Sequence, residues 1–169
     1  MLYTIIINRN EETRLGRLYD IAMDYKNSGR YAEAEATFSD IAGFRDANKQ
    51  ALACVNLGKE DIYKKAISLK ESKEYKEAIE AFEKIKDYKD SEFQISQSCE
   101  LSNKDKYERA IELKENGKYD EASSLFMEIL RYSDSDFQVD ECARLKAEAK
   151  KEAIYITCLF NREINPYFD

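Results

Sequence analysis

A tyrosine, an apolar residue and a lysine recur at i, i+4 and i+7 in three places: Tyr19, Met23 and Lys26; Tyr63, Ile67 and Lys70; Tyr107, Ile111 and Lys114. On a helix this spacing sets each trio on one stripe. Like cations repeated at a fixed interval can grip an extended acidic partner, and repeated phenol rings can stack on bases or on peptide side chains. Both rows also have a plainer use. A lysine in the last turn of a helix opposes the negative end of the dipole, a gain of about 0.3 to 1 kcal/mol. A tyrosine often packs its ring and leaves only the hydroxyl at the surface.

Other chemistry finds little material. The chain has no histidine, and its cysteines at 54, 99, 142 and 158 form no CxxC pair, so neither a metal site nor a cofactor is expected. The reading for all four thiols is small, buried helix residues in a reducing cytosol. Asp134, Asp136 and Asp140 lack the central glycine of a calcium loop. With no glycine-rich phosphate loop and no nucleophile elbow, the chain is expected not to be an enzyme. A net charge of −7 weighs against binding a phosphate backbone. The run Leu2–Ile7 lacks a basic flank and is too short for a signal core or a membrane span, from which a cytoplasmic location follows.

The elements that must position these residues follow from the interval itself. Tyr19, Tyr63 and Tyr107 stand 44 residues apart and open three copies of one unit without a gap. Each copy continues through Tyr31, Ala34, Phe38 and Ile41, then Tyr75, Ala78, Phe82 and Ile85, then Tyr119, Ala122, Phe126 and Ile129, one face of a short helix. Gly29 and Gly117 stand where a preceding helix should end on a left-handed residue, and Lys73 fills that place in the middle copy.

After each short helix come an aromatic and an acid: Phe44 and Asp46, Tyr88 and Asp90, Tyr132 and Asp134. Ser91 with Gln94, and Ser135 with Gln138, have the spacing of capping boxes, while Ala47 ahead of Gln50 leaves Asp46 as the cap of its helix. No proline interrupts Asp90 to Asn116, which predicts one helix of about 27 residues, roughly 40 Å long. Gly58 and Ser102-Asn103 raise the rival of a mid-helix break, but Lys146-Ala-Glu-Ala149 at the same register is strongly helix-forming and favours continuity. Asn10 can cap Glu11 to Ser28, leaving a β-prone N-terminal extension over residues 1–10. Asn161 marks where the last helix should stop, near residue 160, with 161–169 as a tail. The expectation is one all-α domain over 1–169, with four longer helices alternating with three short ones.

With Ala110, Gly117, Tyr119, Ala122 and Phe126 in place, and Ala22, Gly29, Tyr31, Ala34 and Phe38 before them, the unit resembles a tetratricopeptide repeat across residues 19 to 160. It departs in its length of 44 residues, where the family has 34, and in carrying Asp46, Asp90 and Asp134 where the family has proline. The resemblance implies an α-solenoid of antiparallel helix pairs whose groove is lined by the Tyr19, Tyr63 and Tyr107 trios. The family's variant that grips a terminal carboxylate has lysine and asparagine at the first two of these places. Tyrosine with Met23, Ile67 or Ile111 predicts no such clamp.

One further segment invites a partner. Ile154, Tyr155, Ile156, Leu159 and Phe160 make the final helix apolar nearly all round, whereas the end of a repeat array normally turns a polar face to water. The tail 161–169 folding back, the 2–8 extension reaching it within a homodimer, or another protein docking there are the three covers to weigh. The sequence therefore points to a non-enzymatic adaptor binding a protein or peptide. A single-stranded nucleic-acid binder using the Tyr and Lys rows, or a small inhibitor obstructing a nucleic-acid enzyme, are the alternatives.

Overall fold

The computed structural model describes the backbone of residues 2–164 and the side chains of 9–161. Within them the chain is all helical: α1 (Leu2–Asn27), α2 (Tyr31–Asp40), α3 (Ala47–Glu71), α4 (Tyr75–Glu83), α5 (Ser91–Glu115), α6 (Tyr119–Glu128) and α7 (Ser135–Ile164). Long and short helices alternate, and α3 and α5 pass through Gly58 and Ser102-Asn103 without a break. A methyl added at Gly58 would meet only the Cβ of Tyr31, at 3.6 Å.

The chain divides into two compact units, Met1–Ser96 and Gln97–Asp169, and the division falls within α5. In the first unit, consecutive helices pack on one another from α1 to α4. One core there gathers Ala22, Ala34, Phe38, Ile41, Ala47 and Cys54, and another gathers Ala66, Ala78, Phe82 and Ile85. In the second unit α6 packs on α7, and Ala110, Ala122, Phe126, Ile129 and Cys142 form the core. The same chemistry recurs in each: an alanine on the long helix and one on the short helix are fully buried, which lets the backbones approach, and a phenylalanine one turn on fills the space.

The turn from long to short helix is built three times alike. Arg30, Glu74 and Lys118 each donate a backbone N–H to a carbonyl five residues back, while Gly29, Lys73 and Gly117 donate to one three residues back. This is a Schellman ending, which requires a left-handed residue at its centre. Gly29, Lys73 and Gly117 have φ of 78°, 65° and 75°.

Three local expectations are corrected. The helix α1 begins at Leu2, not at a cap on Asn10, so residues 2–8 continue a helix and form no β-prone extension. Isoleucine and tyrosine favour strands through packing on a neighbouring sheet, and the described residues contain no strand. The last helix passes Asn161 and is described as far as Ile164, since an asparagine inside a helix imposes no stop. The remainder of the expected tail, 165–169, lies outside the described residues. The capping boxes do not form. The hydroxyls of Ser91 and Ser135 turn back to donate to the carbonyls of Tyr88 and Tyr132, at 2.6 Å each, because the left-handed residues Lys89 and Ser133 bring the chain round a tight turn and leave each serine buried inside it.

Candidate binding surfaces

The aspartate just before α3, α5 and α7, and the glutamine in the first turn of each, meet the tyrosine and lysine of the preceding long helix. Tyr19 donates its hydroxyl to Asp46 Oδ1 at 2.5 Å, Gln50 donates its amide to Asp46 Oδ2 at 2.8 Å, and Lys26 donates to Gln50 Oε1 at 2.6 Å. The middle copy repeats the chain through Tyr63, Asp90, Gln94 and Lys70 at 2.6, 2.8 and 2.5 Å. The third repeats it through Tyr107, Asp134, Gln138 and Lys114, with Gln138 to Asp134 at 2.8 Å and Lys114 to Gln138 at 2.6 Å. Each clasp ties the end of one long helix to the start of the next across the short helix between them.

The electrostatics follow from the same bonds. Donation from tyrosine, then from glutamine, holds the carboxyls of Asp46, Asp90 and Asp134 below the ordinary aspartate value. Donation to the carboxylate raises the hydroxyls of Tyr19 and Tyr107 and pushes Tyr63 up to about 12. The rings are edge-on in small aromatic clusters: Tyr19 lies 5.4 Å from Phe38 and 6.3 Å from Phe44, and Tyr63 lies 5.7 Å from Phe82. The cations Arg45 and Lys89 sit over Tyr19 and Tyr63 at 5.0 and 4.7 Å.

Each predicted trio is thus half-buried, with Met23, Ile67 and Ile111 packed against the three cores. Tyr and Lys come together within a trio through two residues that sequence reasoning assigned to helix capping, the aspartate and the glutamine. Asp46 stands at its N-cap position with no side-chain cap bond, since both oxygens are taken. The signal was present. Asp lies 27 residues after Tyr, and Gln 24 after Lys, in all three copies.

The terminal segment is different in kind. Every residue from 146 to 161 is exposed, although the first part of α7 is anchored by the buried Cys142. Ile154, Tyr155, Ile156, Leu159 and Phe160 expose between 42% and 64% of their surface. Ile154 occupies the register of Ala22, Ala66 and Ala110, each fully buried. Exposed aromatics missed by sequence reasoning also stand at matching places in two copies, Phe93 and Phe137.

The cysteines divide. Cys54 and Cys142 are buried and burial raises their thiols, but Cys99 and Cys158 are exposed, against the expectation that all four lie inside. Cys99 is one residue off the register of the buried pair, and one residue rotates a helix by about 100°.

A shallow groove of about 380 Å³ runs between α3 and α4, with Ile62, Leu69 and Ala81 for its floor and Lys65, Glu77, Glu80 and Lys84 at its rim. Among the described residues no group of three His, Cys, Asp or Glu side chains is placed to hold a metal ion, and no helix is long and apolar enough to cross a membrane. Among the described residues, these features define a helical protein with recurrent, locally clasped units and an exposed apolar helix end in α7. Comparison with protein-family models, with curated proteins and with solved structures finds no match.

Proposed function

We propose that the chain is a cytoplasmic, tetratricopeptide-like α-solenoid that binds another protein and performs no catalysis. The observation that carries this reading is the exposed apolar end of α7. Five large apolar side chains there contact water, and leaving each exposed forgoes about 1.5 to 3 kcal/mol available on full burial. Engagement of the lysines by glutamine, and of the tyrosine hydroxyls by aspartate, weighs against nucleic-acid binding through those rows.

Ile154 and Tyr155 occupy the registers that are packed in the three copies, and so form the natural seat for a partner's helix. Affinity capture from the native host with the wild-type chain and with I154K/Y155E tests this. A protein retained by the wild type and lost from the variant, with the helical circular dichroism unchanged, supports the reading. Identical captured sets overturn it.

A further inference from the structure

Beyond the partner face, α7 carries a second apolar stripe on its opposite side, formed by Ala149, Ala153, Ile156 and Phe160, all exposed. At about 100° per residue these four share one face, and Ile154, Tyr155 and Cys158 point the other way. The stripe departs from the repeat. Where Ile156 stands, the three copies have Asp24, Ser68 and Glu112; where Phe160 stands, they have Ser28, Ser72 and Asn116. Those six positions are polar and exposed. The side of the long helix that faces water in each copy is apolar in α7 alone.

We infer that this stripe pairs with the same stripe of a second copy, antiparallel about a two-fold axis level with the midpoint between Ala153 and Ile156. The spacing of the four residues is 4, 3, 4, which reads the same in both directions. Reversal about that midpoint sets Ala149 level with Phe160 of the other copy, and Ala153 level with Ile156. Small meets large at every level, the condition for interdigitated packing in an isologous contact.

The charges are compatible with this arrangement. Antiparallel pairing sets Lys150 level with Leu159 and Glu152 level with Thr157, so no like charges meet beside the stripe, and Lys151 points away from it with Cys158. Parallel pairing would leave alanine against alanine and phenylalanine against phenylalanine. A contact about 18 Å long lies at the small end of specific interfaces, so the expected association is micromolar.

Sedimentation equilibrium of the full chain in reducing buffer, over about 1 to 200 μM, tests the inference. The wild type should show a monomer–dimer equilibrium, and I156E should raise the dissociation constant at least about tenfold. A149F and F160A should each weaken the dimer, and A149F/F160A should recover it, because the large residue and its space exchange places across the axis. Y155E should leave the dimer intact, which separates this surface from the partner face. These positions are exposed in the monomer, and an unchanged circular dichroism spectrum certifies each variant's fold. A wild type that stays monomeric throughout, a double variant no stronger than the weaker single one, or Y155E dissociating the dimer as fully as I156E, each overturns the pairing.

Discussion

Tyr63 on α3 donates its hydroxyl to Asp90 at 2.6 Å, so the long helix that precedes α4 is tied directly to the turn that follows it. The bond sits among edge-on rings, with Phe82 at 5.7 Å and Tyr88 at 6.2 Å, and it recurs in the other two copies. Tyr63→Phe keeps the ring packing and removes only the donor. The thermal midpoint should fall by about 2 to 4 °C, the change that a lost hydrogen bond gives in a chain of this size. An unchanged midpoint in calorimetry would show that the clasp adds nothing to stability.

The same pairs fix the pH limits of the fold. The aspartate carboxyls titrate lower folded than unfolded, so their contribution is fully present above the ordinary aspartate value and is lost as pH falls through the folded values. The tyrosines are the mirror case. Tyr63 titrates at about 12 when folded, so its contribution is complete below about pH 10 and disappears as pH rises through 12. Midpoints measured from pH 9 to 12 should decline for the wild type and decline less for Tyr63→Phe. Parallel curves would falsify this assignment.

How far the sequence disclosed the molecule depends on what kind of signal each residue leaves. Ala34, Phe38 and Ile41 announce a buried face because only packing demands apolar residues at helical spacing, and they and their counterparts are buried in all three copies. Gly29 and Gly117 announce left-handed endings for a backbone reason. Asp46, Asp90 and Asp134 were ambiguous, because an aspartate before a helix serves equally as a cap or as acceptor for a side chain 27 residues away. Distant partners leave no local pattern. The isoleucines ahead of Arg9 misled for a related reason, since their preference depends on neighbours that composition does not reveal.

Two glycines with opposite backbones should respond oppositely to alanine. Gly58 lies inside α3 and an added methyl makes only an ordinary contact at 3.6 Å, so Gly58→Ala should stabilise by about 0.5 to 1 kcal/mol. Gly117 has φ of 75°, where a side chain is strained whatever the space, so Gly117→Ala should cost about 1 kcal/mol or more. Urea unfolding of the two variants checks both signs, and destabilisation by Gly58→Ala would indicate that α3 is not a regular helix at that point.

Ser91 tests what the buried turn requires. It is fully buried and its hydroxyl donates to Tyr88, yet the first copy holds the same register with Ala47, also fully buried. Volume is therefore the common demand. Ser91→Ala should cost under about 1 kcal/mol, whereas Ser91→Leu should cost about 1 to 3 kcal/mol by overpacking. Equal losses from the two substitutions would show that the hydroxyl matters more than the space.

The thiols should separate into two classes under a chromogenic disulfide reagent at pH 8. Cys99 and Cys158 are exposed, and Cys158 points away from the stripe assigned to the second copy, so both should react promptly at every protein concentration. Cys54 and Cys142 are buried, and burial raises their thiols, so little thiolate forms and the reagent has no approach without local opening. Their reaction should be slower by orders of magnitude and become prompt in denaturant. The slow class reports on separate cores, Cys54 on the one around Phe38 and Cys142 on the one around Phe126. Phe126→Ala should accordingly accelerate Cys142 and leave Cys54 unchanged. Four thiols reacting at one rate in native buffer would contradict the burial of Cys54 and Cys142, and acceleration of Cys54 by Phe126→Ala would show that the two cores open together.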